Sequence, residues 1–412
     1  MTGLHVVVVN DAGHVNGGSA QVAIGSAKAL AREGVQVHYF CATPPVDESL
    51  QQSGVQVICT QQQDLLGHTS RLAAAVQGFW NGQAARALHE LLRSLPASRT
   101  VVHVHGWTKA LTASIFLPAR KMGMAQVLTL HDYFTACPNG GFFDYQRREI
   151  CHRRPVGLDC ITTHCDARAY SHKVWRVGRH LVNRYGANVP AGLTDVIVLS
   201  RNSKRVLAPS YPTHVRWHAV RNPIEITRQD RVLAGQNRDF LFVGRLAAEK
   251  GADLLAEAAQ AVGAPVRFIG DGGEKQAMLK RWPNLKISGW LPPAGVQAAL
   301  QTGRALVLPS RWYEGQPLVV QEALAMGVPV IVADQTGSCD LVVDGVNGLL
   351  FRQGDYRALQ ASLHRLMTDD ALVDAMSGAA YDGYWQDPPV PAHHVRDLLP
   401  VYELALSALA PA

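Results

Sequence analysis

The order of residue types over positions 4–41 admits few folds. Residues 4–9 are an apolar run of strand length, followed by a loop holding Gly17 and Gly18. Residues 20–33 then place Val22, Ala23, Ala27 and Leu30 at helical spacing, with Gly34 as a C-terminal cap, and 35–41 read as a second strand. A strand, a helix and a strand in this order form a βαβ unit, which requires a parallel sheet covered by helices. Short β-rich runs recur at 100–105, 126–130 and 195–199. After Asn222-Pro223 a polar stretch, 227–238, reads as a linker. A second alternation follows: strand 239–243, helix 249–262, strand 265–269, helix 274–281, strand 284–288, helix 294–302, strand 304–309, helix 317–326 and strand 328–333.

Two such halves predict an α/β protein of two doubly wound, Rossmann-like domains facing across a cleft. The expected division is 1–222, 223–385 and a tail at 386–412. In the tail, Pro388, Pro389 and Pro391 break the chain, and Val395, Leu398, Leu399, Tyr402 and Leu406 share one side of a helix over 392–410. That helix is expected to pack back on the first domain.

A hydrophobic content of 47% with 17% charged residues suits two buried cores. Nothing near the start reads as a leader, and no run reaches the roughly 18 apolar residues of a membrane span, so a cytoplasmic protein is expected. The formal charge of +6 is local: residues 147–184 hold nine Lys or Arg against three acids, leaving the rest formally neutral. Such a region fits an anionic partner; no nucleic-acid motif accompanies it, so nucleic acid is not expected. Residues 167–185 read as an amphipathic helix with Val174, Val177, Leu181 and Tyr185 packed inward and a solvated basic face. Peripheral contact of that face with anionic lipid at the inner face of the membrane is the rival reading.

The chemistry concentrates at residues 304–334. A strand ends at Pro309-Ser310, a loop carries Glu314-Gly315-Gln316, Pro317 suits the first helical position, and Gly327 ends the helix. Backbone N–H groups at 315–319 are then orphan donors at a positive helix end beyond a strand's carboxyl end, where phosphate or sugar hydroxyls bind. Gly315 allows close approach, and Glu322 can accept two ribose hydroxyls. The bland alternative is an ordinary βαβ turn with two exposed glutamates. Glu-x7-Glu joined to the proline, the Ser-x3-Glu-Gly loop and the Gly-Val-Pro-Val-Ile strand argues against it.

Here the sequence resembles the family 4 glycosyltransferases of the GT-B fold, over nearly the whole chain and most clearly over 239–352. The matching elements are Phe242-Val243-Gly244-Arg245-Leu246, Glu249-Lys250-Gly251, Ile269-Gly270-Asp271-Gly272, Ser288-Gly289-Trp290, the Glu314/Glu322 pair, and Asp344-Gly345-x2-Gly348-Leu349-Leu350. The resemblance implies transfer of a sugar from a nucleotide diphosphate sugar to an acceptor hydroxyl with retention of configuration. The acceptor would be a glycan, a lipid-linked glycan or a small molecule, in bacterial polysaccharide or glycoconjugate synthesis.

It also implies a histidine contacting the transferred sugar, which His131 matches, and a nucleobase near Gly289-Trp290-Leu291. A glycine turn with a core Trp290 is the plainer reading of that segment. The donor-binding set becomes Gly244, Gly270, Gly289, Trp290, Gly315, Gln316, Pro317, Leu318 and Glu322. Arg245 and Lys250, at a strand end and in the first turn of a helix, gain nothing from the helix dipole there. Both would instead neutralise charge on the leaving diphosphate, the role Mg²⁺ has elsewhere. No Asp-x-Asp occurs, so neither a metal nor a resident cofactor is expected.

Gly270-Asp271-Gly272-Gly273 lacks the G-x-G-x-x-G spacing of a dinucleotide site. Gly17, Gly18 and Ser19, at a helix start, cradle a phosphate or acceptor, or simply form a tight turn. His103 and His105 alternate with valines and face the same way, as core or supporting groups. Cys137, Cys151, Cys160 and Cys165 fit no standard zinc ribbon; a structural zinc and four reduced thiols both stand. Two rival functions share the fold: a nucleotide-sugar epimerase, and a non-catalytic nucleotide-sugar-binding protein with no need of the Arg245/Lys250 pair.

Overall fold

The computed structural model describes residues 3–409. Its first sheet has seven strands: β1 (His5–Ala12), β2 (Gln36–Thr43), β3 (Gln56–Cys59), β4 (Thr100–Val104), β5 (Ala125–Leu130), β8 (Asp195–Val198) and β9 (Arg216–Ala219). They lie in the order β3-β2-β1-β4-β5-β8-β9, all parallel. The second sheet has six, β10 (Asp239–Val243), β11 (Val266–Ile269), β12 (Lys286–Ile287), β13 (Gly303–Leu308), β14 (Val330–Ala333) and β15 (Gly348–Phe351). Their order is β12-β11-β10-β13-β14-β15, again parallel. In each sheet the order reverses beside the first strand, and the carboxyl ends there border a crevice suited to ligands.

The central strands are apolar throughout because both faces are covered. In β1, Val6 and Val8 pack on one side, with the Gly18–Arg32 helix, and Val7 and Val9 on the other. A single separate core serves the second sheet. The helix Pro391–Ser407 puts Val395, Leu398, Val401 and Tyr402 into the first sheet's core, where the Tyr402 hydroxyl meets His103 Nδ1 at 2.7 Å. Residue 410, the expected end of that helix, lies outside the described residues.

Several elements go beyond what the sequence pattern predicts, among them the helices Arg71–Phe79, Gly82–Arg93, Tyr356–Thr368 and Asp370–Gln386 and strand β15. Strands β3 and β9 are edge strands of four residues, too short for a clear alternation. A small antiparallel hairpin, β6 (Phe143–Asp144) and β7 (Glu149–Ile150), sits inside the basic region. Its Arg148 guanidinium crosses to Asp253 at 3.1 Å and Glu274 at 3.0 Å in the second domain.

The helix Tyr170–Gly186 corrects an expectation. Of the four residues expected to pack inward only Val177 is buried; Val174, Leu181 and Tyr185 face solvent, while Lys173 and Arg179 are buried. Lys173 Nζ lies 3.3 Å from both Cys160 Sγ and Cys165 Sγ. The Arg179 guanidinium donates to the Thr108 carbonyl at 3.0 Å and stacks over Phe134 and Trp175. Specific acceptors inside the lobe, and not the apolar stripe, set the helix's rotation.

Candidate active site in the interdomain cleft

Lys250 and Glu314, 64 residues apart, meet because two loops are pinned together. Strand β10 ends at Val243, and Lys250 lies in a 3-10 turn, Ala248–Lys250, ahead of the helix Ala252–Val262. Lys250 was expected in the first turn of that helix; Gly251 separates the two. Gly251 has φ +70° and a Cβ there would lie 2.1 Å from the Pro309 carbonyl oxygen, so only glycine lets the turn press against the end of β13. The Arg311 N–H donates to the Glu249 carbonyl at 2.8 Å and holds the loops in register.

In that setting the Lys250 ammonium pairs with one Glu314 carboxylate oxygen, and the Ser310 hydroxyl donates to the other. The Lys250 ammonium also lies 5.3 Å from the centre of the Trp312 ring. Arg245 does not join this pair. Its guanidinium, largely exposed, is held by the buried Glu249 carboxylate one turn later in the chain. Glu249 is thus a positioning group to which the sequence pattern alone assigned no role; the i,i+4 spacing from Arg245 was its signal.

Beyond Glu314 the chain forms a cradle. Pro317 proves to be the N-cap of the helix Leu318–Ala325 with extended backbone, so the helix starts one residue later than expected. The backbone N–H groups of Gly315, Gln316, Leu318 and Val319 have no protein acceptor among the described residues. Four donors at a helix N-terminus favour an anion. The Gln316 side chain is buried and accepts from Gln321 Nε2 at 3.1 Å. The Glu322 carboxylate, half-buried on the helix, makes no hydrogen bond among the described residues, and burial raises its pKa.

Gly244, Gly270 and Gly289 are brought together. Gly270 has φ +145° and a Cβ there would meet the Gly244 carbonyl oxygen at 1.9 Å. Its N–H donates to the Gly289 carbonyl at 2.8 Å. Trp290 beside them is 77% exposed, which removes the core-tryptophan reading.

From the first domain, the His131 carbonyl would lie 3.7 Å from a Cβ on Gly315. The His131 ring follows β5, and its Nε2 meets His105 Nδ1 at 3.0 Å. Burial lowers the His131 pKa to about 4, and those of His103 and His105 fall as well, so all three are neutral at neutral pH. Tyr313, next to Glu314, packs into the first domain's core against Tyr133 and Phe142.

Gly17, Gly18 and Ser19 open the Gly18–Arg32 helix, and a Cβ on either glycine would meet nothing within 4 Å. Their smallness serves no packing contact. The cysteines are all free thiols, and among the described residues no three His, Cys, Asp or Glu side chains group as a metal ion would require. Among those residues, too, no helix is long and apolar enough to cross a membrane.

Two parallel-sheet lobes that meet at the Gly315 loop have the GT-B architecture. A family model described as a glycosyl transferase 4-like domain matches residues 17–223, and one described as glycosyl transferases group 1 matches 237–369. The chain belongs to this glycosyltransferase family. A GDP-mannose-dependent alpha-mannosyltransferase of Corynebacterium glutamicum is 32% identical over 150 residues, 36% of each chain. The lipopolysaccharide 1,6-galactosyltransferase of Escherichia coli is 30% identical over 37% of this chain and 46% of its own. The alignments thus span less than half the length of these curated relatives.

Among solved structures, the sucrose-phosphate synthase of Thermosynechococcus elongatus superposes with a TM-score of 0.71 at 15% identity, covering 98% of this chain and all of the other. Anabaena HepE in complex with UDP-glucose gives 0.64 at 17% identity, with the same coverage. At such identities the likeness is one of fold.

Proposed function

We propose that the chain transfers a sugar from a nucleotide diphosphate sugar to an acceptor hydroxyl, with retention of configuration and without metal or resident cofactor. The acceptor is a glycan, a lipid-linked glycan or another hydroxyl compound of bacterial polysaccharide or glycoconjugate synthesis. One observation carries this reading: the Lys250–Glu314 pair stands beside four backbone N–H groups that have no acceptor among the described residues. An arriving diphosphate competes with Glu314 for the ammonium, and its oxygens take up the free donors.

The Glu322 carboxylate, half-buried and without a hydrogen bond among the described residues, accepts from the ribose hydroxyls. Released from Lys250, Glu314 holds the sugar together with His131. The acceptor oxygen attacks the anomeric carbon from the face the diphosphate leaves, and the departing phosphate oxygen takes its proton. Lys250, Arg245 and the helix end stabilise the charge on the leaving group. Closure of the lobes excludes water and limits donor hydrolysis.

The relatives' names point to both GDP and UDP donors, so the first experiment is a thermal-shift screen over both nucleotides and their sugars. Release of nucleoside diphosphate from any stabilising donor follows. Lys250→Ala and Arg245→Ala should each abolish release while the protein stays folded; unchanged turnover in either overturns the proposal.

A further inference from the structure

The helix Tyr170–Gly186 is amphipathic and faces the wrong way for a helix covering a soluble core. Its cations are fixed: buried Lys173 between two cysteine sulfurs, buried Arg179 on the Thr108 carbonyl, and half-buried Arg176 on the buried Asp166 carboxylate at 2.8 Å. With rotation set by those partners, Tyr170, Val174, Leu181 and Tyr185 form an outward stripe within about 60° of arc. Tyr185 is 77% exposed and Val174 52%. The stripe borders a second helix, Arg71–Phe79, which touches the first through the Trp175 Nε1–H donating to the Ala75 carbonyl at 3.2 Å. On that neighbour Leu72 and Val76 are exposed at 76% and 62%. Two adjoining helices thus show an apolar surface to solvent, larger than scattered single residues would give.

The charge around it selects the occupant. Neither residues 65–89 nor residues 167–194 contain a single Asp or Glu. Arg71, Arg168 and Arg184 are exposed there, and no ion pair holds any of them among the described residues. A second copy of the chain docked face to face would set like charges against each other. An anionic bilayer surface satisfies both features, taking apolar side chains between its headgroups and cations beside its phosphates.

We infer that the surface made by Leu72, Val76, Tyr170, Val174, Leu181 and Tyr185, rimmed by Arg71, Arg168 and Arg184, docks this lobe on an anionic lipid membrane. The same lobe carries the Arg148 hairpin, which reaches over to the second domain at Asp253 and Glu274. Docking would thus act on the lobe that makes these ion pairs across the cleft.

The test is sedimentation of the full chain with vesicles of phosphatidylglycerol and phosphatidylcholine, against phosphatidylcholine alone, with neither donor nor acceptor present. Its outcome is thereby separate from that of the proposed transfer reaction. The wild type should pellet with the anionic vesicles only, and less so at high salt. Val174→Asp/Tyr185→Asp, both exposed, should lower the partition by about tenfold while circular dichroism and melting stay unchanged. Leu72→Asp, on the neighbouring helix, should weaken it independently, and Leu404→Asp on the tail helix should not. The proposal is overturned if the wild type stays in the supernatant, or if the folded stripe variants bind as the wild type does. It is equally overturned if light scattering shows a dimer that those variants dissolve.

Discussion

Removing Lys250 should have two separable effects, one on stability and one on turnover. The Glu314 side chain is 7% exposed and that of Lys250 22%. In Lys250→Met the carboxylate keeps only the Ser310 hydroxyl as a side-chain donor. Breaking a fully buried pair costs 3–5 kcal/mol; because Lys250 still sees solvent, about 2–3 kcal/mol is expected here. That corresponds to a fall in Tm of roughly 5–10 °C. Glu314→Gln, which removes the charge that would be stranded, should cost about 1 kcal/mol, and the double variant should lie close to it. The cycle should give a coupling of about 2 kcal/mol by chemical denaturation. Turnover should behave otherwise: the double variant regains stability but stays inactive, since nothing replaces the ammonium at the diphosphate. A double variant as unstable as Lys250→Met, or one that recovers nucleotide release, would contradict this pairing.

Gly270→Ala should destabilise the second domain by about 3 kcal/mol or more, because its left-handed φ and the Gly244 carbonyl at 1.9 Å leave no room for a methyl; wild-type denaturation would contradict the packing described. Burial raises the Glu322 pKa, and only the carboxylate form accepts two ribose hydroxyls. Calorimetric affinity for a nucleoside diphosphate should therefore drop on acidification at a higher pH than for an ordinary glutamate, and Glu322→Gln should bind about tenfold weaker without that step. Burial, with Asp11 adding to it against the Phe134 N–H and Arg179, raises the Asp132 pKa from 3.8 to about 6. The folded state then holds a proton that the unfolded state loses near 3.8, so this group's contribution to stability declines as pH rises from about 4 to 6. Asp132→Asn should flatten that slope in denaturation curves and be the more stable form above about pH 6; a steeper slope would refute the sign.

Most of the frame and much of the candidate site could be read in the residues, for a local reason. Strand-and-helix alternation is written in short-range periodicity, so β1, β10 and the helix Leu318–Ala325 were legible within a residue or a few. The glycines at 244, 251 and 270 and the glutamates at 314 and 322 stood out because turns and helix starts draw on a short menu of residue types. The partner of His105 was not legible, since it depends on His131 on the neighbouring strand's end, 26 residues away. The exposure of Trp290 was equally hidden, because a tryptophan after a glycine suits a core or a surface.

The sequence by itself determined the strand-and-helix alternation that calls for two parallel sheets, and the loop that joins Glu314 to Glu322, because both are written in short-range spacing. Tertiary structure alone decided that Lys250 meets Glu314 across 64 residues, since that meeting depends on the packing of Gly251 under Pro309. It alone decided the rotation of the helix Tyr170–Gly186. Helical spacing there placed the apolar stripe correctly and its direction wrongly, because periodicity records which residues share a face but not what the opposite face can offer a buried cation.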